Sequence, residues 1–249
     1  MTELAIEVCV EGVDGLLAAQ AAGANRVELC ASLLEGGVTP SFGVIQEALR
    51  QSRIPVHVIV RPRGGDFLYT DIEYATMRAD VQSCRAAGAH GVVIGCLTAD
   101  GQVDVARTRE LVELARPMSV TFHRAFDMTR DPAEALDALI RCGVDRVLTS
   151  GQRETAIEGM DTLRRINEQA GGRIIVMGCG ALAPDNIATV QRAANLTELH
   201  FAALHNEPSG MRYRNPRVGM GGSDRDREYT NTVTDPILVR ETIQAAHTA

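Results

Sequence analysis

The chain has 249 residues, 45% hydrophobic and 23% charged, enough to bury a core as one large domain or two small ones. A formal net charge of −7 with 4% aromatics and no basic stripe argues against nucleic acid as a partner, and no apolar run approaches the roughly 20 residues that cross a bilayer. All 25 basic residues are arginine, so lysine-dependent chemistry (Schiff-base aldol reactions, pyridoxal phosphate, the P-loop) is excluded.

The opening "MTELAIEVCV" lacks the basic segment and long apolar core of a signal peptide, and a cytoplasmic location is expected. From there short β-branched runs alternate with amphipathic helical stretches. Strands are predicted at 4–10, 26–30, 55–61, 91–97, 119–124, 145–150, 173–178 and 198–203. Helical patterns lie between them, such as "DIEYATMRADVQSCRAAGA", with apolar positions at helical spacing and a glycine near the end. The junction recurs as "AAGANRVELC", "AAGAHGVVIG" and "RCGVDRVLTSG": small residues and glycine close a helix, a polar pair turns the chain, and a strand begins. About eight βα units in a chain of this length is what a (β/α)8 TIM barrel requires. An open doubly wound sheet would need a G-x-G-x-x-G at its first turn, which is missing. The expected architecture is one α/β barrel domain over 1–249. A long irregular loop at about 205–234, rich in Gly, Pro, Asn and Arg, follows the last strand.

In a barrel, strand residues alternate between the lumen and the helical layer, and an ionised side chain belongs in the lumen. That rule turns Glu7 and Cys9 inward on the first strand, Glu28 and Cys30 on the second, and His57 and Arg61 on the third. It also places Thr121 and His123 inside on the fifth, with Val120 and Phe122 outside, and His200 inside on the eighth. "VTFHRAFDM" therefore delivers His123 to the C-terminal mouth, where active sites of this fold occur, with Arg124 and Asp127 opening the next loop. Two carboxylates in one lumen need a cation between them, and Arg61 is the expected counter-ion. On this parity His123→Ala should leave the fold intact, whereas Phe122→Ala should cost about 3–5 kcal/mol.

Cysteines in cores are most often small hydrophobes, the reading taken for Cys84 and Cys142. Cys9 and Cys30 differ, because they end neighbouring strands on the same inward face. Strands lie about 4.8 Å apart, close enough for two sulfurs to share one soft cation, and two-sulfur ligation suits Cu(I) better than Zn²⁺. The mouth loops "RPRGGDF", "TSGQ" and "GCGA" combine glycine with arginine and suit an anion, with Gly178 and Gly180 offering backbone donors.

Taken together, "EVCV", "RVELC", "EGGVTPS", "IVRPRGGDF", "VTFHRAFDM", "RVLTSG" and "MRYRN" resemble the CutC family, in order and over nearly the whole chain. The resemblance implies a cytoplasmic (β/α)8 barrel that assembles into homo-oligomers and takes part in copper homeostasis. It also implies Cu(I) binding at two cysteines matching Cys9 and Cys30, with Glu7 and Glu28 as neighbouring groups. Cys179 in "MGCGA", where relatives carry small residues, could add a third soft ligand. The alternative is a TIM-barrel enzyme or receptor for a small anionic or phosphorylated metabolite. In that reading His123 acts as acid and base, Arg61, Arg63 and Arg124 clamp the anion, and Asp66 and Asp127 orient the arginines. A third reading leaves the interior inert and uses the 205–234 loop for subunit contacts.

Overall fold

A computed structural model describes residues 4–219 and 225–248. Eight parallel strands follow one another around a closed barrel: β1 (Ala5–Glu11), β2 (Arg26–Cys30), β3 (Val56–Ile59), β4 (Gly91–Ile94), β5 (Ser119–Phe122), β6 (Arg146–Thr149), β7 (Ile175–Gly178) and β8 (Glu198–Phe201). The last strand closes on the first, with Ala5 opposite Glu198 and Glu7 opposite His200. Eight helices form the outer ring: α1 (Gly12–Ala22), α2 (Phe42–Gln51), α3 (Asp71–Ala87), α4 (Val105–Ala115), α5 (Pro132–Cys142), α6 (Met160–Ala170), α7 (Ile187–Ala194) and α8 (Pro236–His247). This is the TIM barrel that the strand count required.

The recurring junctions have a common geometry. Gly23, Gly88 and Gly143 end α1, α3 and α5 in the left-handed region, at φ 102°, 84° and 76°. Each donates its N–H back to carbonyls of the last turn, a conformation that a β-carbon would strain. At the other ends, Thr70 and Glu73 make a reciprocal capping box on α3, and Asp131 caps α5 ahead of Pro132. Glycine and capping residues together fix where each unit turns.

Alternation does the rest. Ile6, Val8, Val10, Val27, Leu29, Val120, Phe122, Leu199 and Phe201 join one continuous apolar layer with the helices. Glu7, Cys9, Glu28, Cys30, His57, Arg61, His123 and His200 are buried without joining that layer. Each strand side chain assigned from its parity lies on the expected side.

The stretch 205–234 has regular structure at its two ends among the described residues. It is framed by an antiparallel ladder, β9 (Leu204–Pro208) with β10 (Thr230–Thr234), in which Leu204 faces Thr234 and Pro208 faces Thr230. The ladder's polar side chains face solvent, so hydrophobic patterning did not announce it. The middle of this stretch, 220–224, and the ends 1–3 and 249 of the domain expected over 1–249 lie outside the described residues.

Candidate functional site

The lumen is a ladder of charges from the N-terminal end of the strands to the mouth. At the bottom, Arg146 grips Glu198 with two nitrogens, at 2.5 and 2.9 Å, and Arg26 reaches the same carboxylate at 2.6 Å. Arg26 turns its Nε to Glu7 at 2.5 Å, and the other oxygen of Glu7 lies 2.8 Å from His200 Nδ1. His200 Nε2 then lies 3.7 Å from Glu28. The counter-ion of Glu7 is thus Arg26, not Arg61 as expected. Arg26, Arg146 and Glu198 escaped the sequence reading because each stands at the first position of its strand, where a polar residue reads as part of the turn. Parity was the available signal: Arg26 is two residues from Glu28, and Glu198 two from His200.

This ladder sets the protonation of its members. Burial works to raise the Glu7 carboxyl, but the Arg26 guanidinium and His200 override it and hold Glu7 well below the usual carboxylate range. Burial would strip His200 of its proton. Hydrogen bonds to Cys9 and Glu7 and the charge of Glu7 raise it well above the ordinary histidine value, toward the imidazolium. Glu28 goes the other way: burial and the neighbouring Cys9 push it well up, toward the neutral acid.

Above His200 lies the thiol pair. Cys9 Sγ and Cys30 Sγ are 3.6 Å apart, and with a Glu28 oxygen all three ligand atoms fall within 4.8 Å of one another. Cys9 is the better thiolate, brought down to about 5 first by the hydrogen bond from Cys30 and then, against burial, by His200. Cys30 is pushed up, first by burial and then by the negative sulfur beside it. Glu28 thus lies close enough to the two sulfurs to share an ion with them, whereas Glu7 is taken up by Arg26 and His200. Cys179 packs with Leu148 and Met177 and is no member of this group among the described residues.

The mouth is a cavity of about 320 Å³, bordered by Cys9, Glu28, Arg61, His123, Arg124 and Gly180 together with apolar side chains. His123 is 4% exposed, and its Nδ1 accepts the Ala125 N–H at 3.1 Å. Burial, and then the Arg61 charge, lowers it to about 3. The ring is therefore held neutral, and with Nδ1 accepting from Ala125 its proton lies on Nε2. Glycine on β4 makes room for the lumen histidines. A β-carbon at Gly91 would lie 2.5 Å from the His57 ring, and one at Gly95 would overlap the His123 ring. Gly95→Ala should displace that ring and cost about 1–3 kcal/mol, read as a lower urea midpoint; an unchanged midpoint would show that the ring moves freely.

Other expected site residues sit elsewhere. Arg63 bonds Glu73 at 2.6 Å and Asp66 at 3.1 Å on the loop surface, and neither Arg63 nor Asp66 borders the cavity. Gly178 faces the helical layer, where a β-carbon would meet Leu196 at 2.5 Å. Asp127 is committed to structure: it accepts from Thr149 Oγ1 at 2.5 Å, Ser150 N, Gln152 N and, at 2.8 Å, Arg124 Nε. It orients Arg124, as expected. Arg61 gives its terminal nitrogens to three backbone carbonyls.

Residues 4–205 match the family described as the CutC family. A CutC family protein of Mesorhizobium japonicum is 66% identical over 241 residues, covering 97% of this chain and 93% of that one. The human copper homeostasis protein cutC homolog is 46% identical over 235 residues, covering 94% of this chain and 86% of that one. Among solved structures, a CutC protein of Streptococcus agalactiae superposes with a TM-score of 0.76 at 32% identity, over 80% of this chain and 98% of that one. A phosphoribosylanthranilate isomerase of Pyrococcus furiosus aligns over 99% of this chain and 100% of its own with a TM-score of 0.57. At 14% identity, that likeness speaks for the fold alone.

Proposed function

The chain belongs to the CutC family, and on that premise we propose that its barrel holds one Cu(I) ion between Cys9 and Cys30, with Glu28 beside them, in the service of copper homeostasis. The observation that carries this reading is the 3.6 Å separation of two buried sulfurs on adjacent strands. Soft thiolates select Cu(I), which is content with few ligands, while a structural Zn²⁺ site would want four. The donor set fits the ion in charge as well. Cys9 is already close to a thiolate, and Cu(I) would displace the proton that Cys30 keeps. His200, hydrogen-bonded to Glu7, stays a cation beneath the pair and fixes Cys9 from below. The names of the relatives support a copper role, and the reading places the chain in the cytoplasm, where thiols stay reduced.

Anaerobic Cu(I) titration against a competing chelator checks it. The Cys9→Ser/Cys30→Ser variant should bind at least about a hundredfold more weakly than the unmodified protein, as expected for losing both soft ligands. Equal affinity in the two proteins would overturn the assignment. Glu28→Gln, which keeps shape and removes one oxygen donor, should weaken binding by about tenfold or less.

A further inference from the structure

The cavity above the thiol pair has a second polar feature, on its β3 and β5 side, that copper leaves unused. Arg61 is 6% exposed and has no carboxylate within ion-pair distance among the described residues. Its terminal nitrogens bond the carbonyls of Glu35 at 2.6 Å, Gly37 at 2.9 Å and Gly65 at 2.9 Å, and its Nε has no partner. Neutral carbonyls solvate a guanidinium but do not cancel its charge, and a buried cation with no counter-ion is costly. Beside it, His123 Nε2 is buried and equally without a partner. The ring of Phe67 links the two, with the Arg61 guanidinium 5.1 Å from its centre and the His123 ring 5.0 Å away. The remaining wall is largely apolar, from Leu33, Ile59, Leu148, Leu182 and Leu204.

We propose that this cavity is a binding site for a small amphipathic carboxylate. The carboxylate takes the Arg61 guanidinium as its counter-ion with His123 beside it, and the apolar tail lies against the leucines. The charge arithmetic selects this class. One uncompensated cation and one neutral donor match a single negative charge, whereas a phosphate dianion would remain half unbalanced. The other arginine at the cavity, Arg124, already has Asp127 as its counter-ion at 2.8 Å. A cavity of about 320 Å³ falls at the small end of ligand pockets. The inference does not rest on the copper reading, since neither sulfur takes part in holding the carboxylate.

The test is calorimetric titration of the reduced, metal-free protein with hexanoate and phenylacetate, each beside its alcohol, hexanol and phenylethanol, and with inorganic phosphate. Each carboxylate should bind at least about tenfold more tightly than its alcohol, and Arg61→Gln should erase the difference. On the unmodified protein, the ring-proton and nitrogen NMR signals of His123 should shift on adding carboxylate, a readout that survives even where Arg61→Gln does not fold. Equal affinity for acid and alcohol, tighter binding of phosphate than of either carboxylate, unmoved His123 signals, or no binding of either carboxylate at millimolar concentration would each overturn the proposal. Cu(I) titration and carboxylate titration are read separately on the unmodified protein, so failure of the copper site and failure of this one are separately visible.

Discussion

Glu198→Ala is expected to destabilise the protein by about 3–5 kcal/mol, measured by urea unfolding, because it strands charge at the bottom of the barrel. Among the described residues Arg146 has Glu198 as its one carboxylate partner, gripped at 2.5 and 2.9 Å, and it also reaches the hydroxyls of Ser119 and Thr121 at 3.2 and 3.4 Å. Arg26 keeps Glu7, so the damage concentrates on Arg146, a side chain only 8% exposed. The cost is that of an orphaned cation rather than the net worth of the pair. Replacing both partners, as Arg146→Met/Glu198→Leu, should therefore recover much of the loss. A double variant as unstable as Glu198→Ala alone would mean that the ladder stabilises by its charges and not merely by being complete.

The same residue carries a pH signature. Burial works to raise Glu198, and Arg146 and Arg26 prevail and hold it below its ordinary value of 4.5. A carboxylate whose folded pKa is depressed adds stability that is present above the unfolded pKa and lost as the pH falls through the folded one. Stability should thus decline on acidification below about pH 4.5, and Glu198→Gln should flatten that limb.

Phe122→Ala is expected to cost about 3–5 kcal/mol, because its ring is fully buried between the β-sheet and the helical layer. The strand on either side holds it in register, opposite Ile94 and Val147, so the backbone has little freedom to collapse into the cavity left behind. The neighbouring His123→Ala is milder but not free. It removes the acceptor of the Ala125 N–H and a ring packed 5.0 Å from that of Phe67, for a cost of about 1–3 kcal/mol. The parity argument holds, but its corollary that a mouth histidine adds little does not, because this histidine is buried. A melting temperature that falls further for His123→Ala than for Phe122→Ala would reverse the two faces of β5.

Barrel, strand order and the facing of the lumen residues from Glu7 to His200 that lie inside the strands were legible in the chain, and for one physical reason, whereas Arg26, Arg146 and Glu198 at the strand starts were missed. An apolar helical layer cannot take an ionised side chain, so a single glutamate or histidine within a strand fixes the face of every second residue. Glu7 thereby orients Cys9, and Glu28 orients Cys30; the pairing of the two thiols followed from strand adjacency. Glycines in the left-handed conformation marked the helix ends in the same local way. What each polar group does once inside was not local. Arg61 looked like a counter-ion for Glu7 and Glu28, yet the loop through Glu35 and Gly37 folds over it and supplies carbonyls, while Arg26 takes the carboxylate. His123 looked like an ordinary mouth imidazole, yet burial and the Arg61 charge hold it neutral. Asp127 was expected to orient the mouth arginines, and it holds Arg124, yet the turn at 149–152 draws on its oxygens as well. Partner choice and protonation depend on which segments, distant in sequence, close over a group and how much water they exclude, and only the folded chain decides that.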